Sequence, residues 1–212
     1  MRLLAATRSQ GKQAEIRRVL EAAGHEVVFP DDAGVAEDPA EAGLEIGDTF
    51  EGNARRKAEY FARLTGLPTF ADDSGLEVFA LGGEPGVRSK RWAGVTGSAA
   101  QVDAANNAEL RRRLLGADPS RRRARYRCVL VLVQPGDPVA HAFEGSCLGA
   151  ITTEPRGSNG FGYDPWFLSD ELGRTFGEAS DAEKDGVSHR GRALAALVAA
   201  LGPMEHRTTE RS

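Results

Sequence analysis

The chain has 212 residues, 41% of them hydrophobic, enough for a substantial core in one large α/β domain or two small ones. Its formal net charge of −4 excludes a whole-chain attraction to nucleic acid or anionic membranes, so any phosphate site has to be built locally. No apolar stretch approaches the roughly 18 residues of a membrane span, the N-terminus lacks a signal peptide, and Cys128 and Cys147 have no CxxC spacing; together these predict buried thiols and a cytoplasmic protein.

Leu3 to Ala6 reads as a short buried strand, followed by a helix with Ile16, Val19, Leu20 and Ala23 on one face and Gly24 as its stop. Glu26 to Phe29 predicts a second strand, and residues 31 to 48, rich in Asp, Glu, Ala and Gly, predict a loop. Asp48 and Glu51 have capping-box spacing for a helix running to about Leu64, which Gly66 and Pro68 end. The apolar run Leu67 to Ala71 leads into Asp72, Asp73 and Ser74, with Gly75 expected to turn the chain. Ser98 is positioned to cap a third helix ending near Gly116, and Ala124 to Val133 predicts a long strand. Pro135 to Pro138 turns the chain, so that Val139 to Ile151 can return as a hairpin partner; Trp166, Phe167 and Leu168 read as a core strand. A last helix carries Leu194, Leu197, Val198 and Leu201 before Gly202. This alternation, without a low-complexity linker, predicts a single α/β domain over residues 1–202 and a polar tail over 203–212.

The adjacent carboxylates of Asp72 and Asp73 are the most informative feature. On a strand they point to opposite faces, so one can enter a cleft while the other braces the backbone, and their repulsion is relieved by a hard divalent ion or a shared proton. The first strand-to-helix turn, Thr7 to Lys12, offers hydroxyls, an Arg, a Lys and free helical N–H groups to an anion, without the glycine spacing of a Walker A loop; a capped helix with solvated basic residues is the competing reading. Around Gly157 to Pro165, glycines let backbone approach a flat ligand, Phe161 or Tyr163 can stack on it, and Asp164 can accept an N–H, which suits a purine. Lys184, Ser188, His189 and Arg190 gather donors before the last helix. The runs Arg111 to Arg113 and Arg121 to Arg123, with Arg125 and Arg127, admit an RNA-binding stripe, but no aromatic residues interleave with them and a solvated surface is the better reading.

Six motifs in order carry a family resemblance. They are Ala6-Thr7-x-x-x-Gly11-Lys12; Glu45-x-Gly47-x-Thr49-Phe50-x-x-Asn53-Ala54-x-x-Lys57-Ala58; Ala71 to Leu76; Leu81-Gly82-Gly83-x-Pro85-Gly86-Val87; Phe161 to Pro165; and Glu183-Lys184-x-x-x-Ser188-His189-Arg190. The chain thus resembles the inosine triphosphate pyrophosphatase family, whose members remove pyrophosphate from aberrant purine nucleoside triphosphates. The resemblance implies a mixed central sheet flanked by helices in two lobes of an elongated domain, a nucleotide cleft between the lobes, and a homodimer. It also implies an Mg²⁺-dependent hydrolase of ITP, dITP, XTP and dXTP that binds neither nucleic acid nor membrane. Carried over, it assigns Thr7, Arg8, Ser9, Gln10, Gly11 and Lys12 to the triphosphate, with Lys57 directed at the phosphates. Glu45 and Asp73 become metal ligands, Glu41 being the alternative to Glu45, and Asp73 also the general base. Ser74 joins the nucleotide site, Phe161, Gly162, Tyr163 and Asp164 hold base and sugar, and Lys184, His189 and Arg190 complete the purine pocket. Against the family pattern, Ser9 stands in place of Asn, and Arg88 and Lys90 in place of Tyr and Ala.

Overall fold

A computed structural model describes residues 1–202, so the tail expected over 203–212 lies outside the described residues. Six strands form one mixed sheet in the order β2-β1-β3-β4-β5-β6. They are β1 (Arg2–Ala5), β2 (Glu26–Val28), β3 (Thr69–Val78), β4 (Arg123–Val133), β5 (His141–Ile151) and β6 (Phe167–Ser169). β1 runs parallel to β2 and β3, whereas β3, β4, β5 and β6 pair antiparallel in turn. The helices are α1 (Gln10–Ala22), α2 (Phe50–Thr65), α3 (Ala99–Arg113), α4 (Asp181–Val187) and α5 (His189–Leu201).

Strand alternation sorts the core onto two faces. Phe70, Cys128, Leu130 and Leu132 pack with Ile16 and Leu20 of α1 and Leu194 and Leu197 of α5. Ala71, one residue along, packs with Ala58 and Phe61 of α2, and Val129 and Val131 with its Phe50 and Ala54. A further apolar cluster forms at the other end of the long strands, where Leu76, Val78, Tyr126 and Cys147 meet Leu110 of α3, Phe167 and Phe176. The sheet therefore carries helices on both faces and a core at each end, the mixed α/β arrangement that the resemblance implies.

Local differences from the sequence expectations have physical causes. The cap of α2 is Thr49, whose hydroxyl accepts the Gly52 N–H, so the helix begins without the Asp48 capping box. The loop over 31 to 48 contains a short 3-10 helix, Pro39–Gly43, capped by Asp38. Gly75 is not a turn: β3 runs through it, paired with Arg127. A side chain there would meet the Gly86 carbonyl and lie 2.5 Å from Ser89 Oγ, which explains a glycine inside a strand. The arginine runs are paired with carboxylates and carbonyls, among them Arg125 with Glu77, Arg127 with Glu144, Arg123 with Asp170, and Arg122 with the Leu114 carbonyl. They form no unpaired basic stripe.

One contact fastening the helices is ionic. Glu15, buried on α1, lies 2.7 Å from Lys184 of α4 and also pairs with Arg190 of α5. Burial alone would raise its carboxyl, but Arg190 and Lys184 outweigh that and hold it at about 2. A folded-state value below the ordinary 4.5 gives stability that is present above pH 4.5 and lost as pH falls toward 2, at most about 3 kcal/mol.

Urea unfolding tests both features. Gly75→Ala should cost about 1–3 kcal/mol through overpacking, whereas Gly186→Ala, where an added Cβ meets nothing within 4 Å, should be neutral or stabilising; equal effects would refute the close approach at Gly75. Glu15→Gln should be less stable than the unmutated chain at pH 6, with the gap narrowing steadily toward pH 3. A gap independent of pH would remove the ionic role of Glu15.

Candidate active site

The cleft follows from a mismatch in strand length. β1 pairs with only Thr69 and Phe70 of β3 and stops, so β3 from Ala71 onward lies beside the β1–α1 turn instead of a strand. Because α1 and α2 leave for opposite faces, a crevice opens beyond the carboxyl end of β1, the usual ligand position in a sheet wound both ways from a central strand. It is a cleft of about 360 Å³, within the range of small-molecule sites.

One wall is the start of α1. Ser9 is its N-cap but makes no side-chain capping bond; its own N–H donates to Thr7 Oγ1 at 3.2 Å. The amides of Gln10, Gly11 and Lys12 precede the first helical bond, from Gln13 N–H to the Ser9 carbonyl, so this end has donor capacity for an anion. The Lys12 ammonium, 3.1 Å from Asp72, lines the same wall. The other residues of the turn serve differently. Arg8 lines the cleft, yet its guanidinium is committed to Glu41 at 2.8 Å, to Asp31 and to the Val35 carbonyl, fastening the 31–45 loop. Gln10 is exposed and outside the cleft lining. At Gly11 a Cβ would overlap the Phe161 ring, so this glycine seats Phe161 against the helix.

The rear wall is a chain of charges of alternating sign, all of them buried except Lys12, which is half-buried. Asp72 is held by Lys12 and by Arg190 Nε, each at 3.1 Å; Arg190 continues to Glu15, Glu15 to Lys184 at 2.7 Å, and Lys184 to Asp164 at 2.5 Å. Burial opposes ionisation of Asp72, but Lys12, Arg190 and Lys57 keep it far below the usual carboxylate range. Arg190 also donates to Ser74 Oγ at 2.8 Å, so all three of its nitrogens are engaged within the protein. Asp164 likewise accepts from Lys184 and from the Phe161 N–H at 2.8 Å. Phe161 is left as the presented surface, with Lys184 and Arg190 at 4.8 and 5.7 Å from its ring centroid. Tyr163, an alternative stacking residue, is buried and donates its hydroxyl to the Ser89 carbonyl at 2.8 Å. His189 stacks on Tyr126, ring centroids 4.5 Å apart, and burial with the charge of Arg190 keeps its imidazole neutral.

The opposite face of β3 presents Asp73. Its Oδ2 accepts from Asn53 Nδ2 at 2.7 Å and its Oδ1 from the Ser74 N–H at 3.0 Å; it has no ion-pair partner among the described residues. Burial raises its pKa, Lys12 opposes the shift, and Glu45 adds to it. Lys57 pairs with Glu45 and donates to the Asp72 carbonyl at 2.8 Å. Glu45 adds to the cost of ionising Asp73 while, against the cost of burial, Lys57 and Lys12 hold Glu45 itself below its ordinary value; a further cation would relieve the repulsion on Asp73. No cluster of three or more His, Cys, Asp or Glu positioned to hold a metal occurs among the described residues. A pair of carboxylates is a donor set that Mg²⁺ accepts, since it commonly takes one or two and completes its shell with water and substrate oxygens. Glu41 is a poor alternative, since both its oxygens are on Arg8 and one also caps Asp38 N–H.

Glu15 was not among the residues that sequence patterning marks, although it leaves a signal: it sits with Lys12 on the α1 stripe that also carries Ile16, Val19 and Leu20, a position for apolar side chains. Asp103, Asn106 and Asn107 of α3 are a second such group; two Asn in mid-helix are poor helix formers and mark side chains held for their hydrogen bonds.

Comparison with known proteins agrees with this architecture. Residues 3–200 match the model of the Ham1 family. The chain is 50% identical over 195 residues to a dITP/XTP pyrophosphatase of Syntrophobacter fumaroxidans, covering 92% of this chain and 79% of that protein. It is 46% identical over 202 residues to the dITP/XTP pyrophosphatase of Frankia alni, covering 95% and 97%. Among solved structures, a HAM1 protein from Coxiella burnetii superposes with a TM-score of 0.80 at 37% identity, covering 95% of this chain and 98% of that one. A nucleoside-triphosphatase, dITP/XTP pyrophosphatase, from Mycobacterium abscessus has a TM-score of 0.69 at 45% identity, covering 93% and 98%. With nearly its whole length matched, and the cleft placed at the strand switch of that fold, the chain belongs to the Ham1 family.

Proposed function

We propose that the chain is a nucleoside triphosphate pyrophosphatase that hydrolyses dITP, ITP, XTP and dXTP to the monophosphate and pyrophosphate. The observation that carries this reading is the pairing, in one cleft, of an anion-accepting α1 terminus with an anchored carboxylate, Asp73, that lacks an ion-pair partner among the described residues. The names of the relatives support the substrate class.

In this reading the first-turn amides of α1, Thr7, Ser9, Lys12 and Lys57 hold the triphosphate. Asn53 and the Ser74 N–H fix the Asp73 carboxylate, and its raised pKa suits it to accept a proton from water. The water oxygen bonds to the α-phosphorus, the bond from that phosphorus to the bridging oxygen breaks, and pyrophosphate leaves with that oxygen. Glu45 and Asp73 would hold Mg²⁺, which when bound supplies neutralisation of phosphate charge. Phe161 stacks on the base, while Lys184, His189 and Arg190 shape the pocket behind it. The preference for purines with a carbonyl at position 6 over adenine, whose amino group is a donor, follows the names of the relatives; guanine shares that carbonyl, so its exclusion rests on its 2-amino group.

The family resemblance extends the proposal to a homodimer acting in the cytoplasm. No helix among the described residues is long and apolar enough to cross a membrane. The pairing of the arginine runs with carboxylates supports the absence of a nucleic-acid partner.

Pyrophosphate release from a panel of triphosphates tests the assignment. ITP and XTP, with their deoxy forms, should be turned over at least about a hundredfold more efficiently than ATP and GTP, with activity lost on chelation and restored by Mg²⁺. Equal kcat/KM for ITP and ATP would overturn the function. Asp73→Asn should lower kcat at least about a hundredfold with unchanged circular dichroism and urea midpoint; normal turnover by the folded variant would remove Asp73 from the chemistry.

A further inference from the structure

The segment carrying Phe161 has no strand ladder of its own, and Gly162 beside it adopts a left-handed φ of 62°. Gly11 and the Asp164 carboxylate meet Phe161 itself, and α3 supports the residue that follows it. Asp103 Oδ2 accepts the Gly162 N–H at 3.0 Å, and Asn107 Nδ2 donates to the Gly162 carbonyl at 3.0 Å, so one helix holds both backbone polar groups of a single residue. Asn106, on the same face at helical spacing, accepts the Ala93 N–H at 2.9 Å and donates to the Ser89 and Lys90 carbonyls at 3.2 and 3.1 Å. α3 thus joins the Phe161 segment to residues 89–93 on the cleft rim.

These polar contacts have no apolar substitute. The buried residues of α3 are Asn106 and Leu110, so the first turns of the helix dock through side-chain amides and one carboxylate. The second oxygen of Asp103 pairs with Lys90 at 2.9 Å, but the Lys90 side chain is 62% exposed, and an ion pair so open to solvent contributes little. The Gly162 N–H is the partner that matters, since a carboxylate accepting from a backbone amide is a charge-assisted bond. None of the three α3 side chains bonds to Asp73, Glu45 or Lys57.

We propose that Asp103 and Asn107 are positioning residues for nucleotide binding: by gripping the Gly162 peptide from both sides they hold Phe161 where a purine stacks. The inference rests on the nucleotide reading above. It assigns α3 an effect on KM instead of on the hydrolytic step, because the helix sets the aromatic wall and leaves Asp73 untouched.

Steady-state pyrophosphate release from ITP by the full chain tests it with Asp103→Ala, Asp103→Asn, Asn107→Ala and Lys90→Ala. Asparagine keeps an acceptor for the Gly162 N–H and loses the ion pair, alanine at 103 loses both, and Lys90→Ala loses the ion pair alone. Asp103→Ala and Asn107→Ala should each raise KM about tenfold, the scale of one lost hydrogen bond to a half-buried backbone group, with kcat within about threefold. Asp103→Asn should recover most of that loss, and Lys90→Ala should move KM less than Asp103→Ala. An Asp103→Ala effect no larger than that of Lys90→Ala, or a fall in kcat without a rise in KM, would overturn the proposal. Should Asp103→Ala not fold, Asn107→Ala decides the same point. Absence of pyrophosphate release by the unmutated chain would instead refute the nucleotide reading, a result distinct from unmoved KM in an active enzyme.

Discussion

The structure depends on burying two cations and three carboxylates, with the half-buried Lys12 beside them, against the middle of β3. An isolated ion in such surroundings would lose its charge or unfold the site, since effective desolvation costs several kcal/mol per ion. Alternation resolves this: Lys12, Asp72, Arg190, Glu15, Lys184 and Asp164 each have neighbours of opposite sign. These side chains come from the start of α1, the middle of β3, the ends of α4 and α5 and the Phe161 segment, so satisfying the charges fixes those elements against one another. Removal of a member takes one of the two opposite charges from each interior neighbour and so unbalances a buried network, which makes the rear of the cleft a unit and not a set of independent contacts.

Two walls of the cleft are therefore held by different physics. The rear is ionic and buried, with Arg190 and Asp164 engaged inside the protein and Phe161 laid over them. The rim of residues 89–93, with Gly162 next to Phe161, is held by α3 through hydrogen bonds from the buried Asn106 and the half-buried Asp103 and Asn107. Between them, the early end of β1 leaves Asp73 facing open cleft with only Asn53 and a backbone amide bonded to its oxygens. The proposed chemistry sits where the pairing of β1 stops, because there the first-turn amides of α1 lie across the cleft from a carboxylate that no ion pair claims among the described residues.

Much of the fold is legible locally. Alternation of Arg125 and Arg127 with Tyr126 and Cys128 marks β4, the Pro135–Pro138 turn marks β5 as its hairpin partner, and Ile16, Leu20, Leu194 and Leu197 mark the packed faces of α1 and α5. Ser98 caps α3 as its sequence suggests, and Gly66 ends α2 in the left-handed conformation. Where local reading fails, a distant atom decides. Gly75 has turn chemistry by sequence but sits in a strand, because the Gly86 carbonyl and Ser89 approach it from residues later in the chain. Thr49 and not Asp48 caps α2, a choice between adjacent residues that turns on backbone dihedrals.

Composition, order and spacing by themselves determine an α/β chain without a long apolar span, and they place the residues lining this cleft in motifs specific enough to identify a family. They do not determine what each motif residue touches. Arg8 and Lys12 stand in one turn and look interchangeable, yet one fastens the 31–45 loop through Glu41 and the other enters the cleft on Asp72. Arg190 meets Asp72 across 118 positions of sequence, and Glu15 has no meaning until α4 and α5 bring Lys184 and Arg190 to it. Secondary structure follows from neighbours in the chain, because hydrogen-bond rings and side-chain periods are short; charge pairing follows from proximity in space, and only the folded sheet creates that proximity.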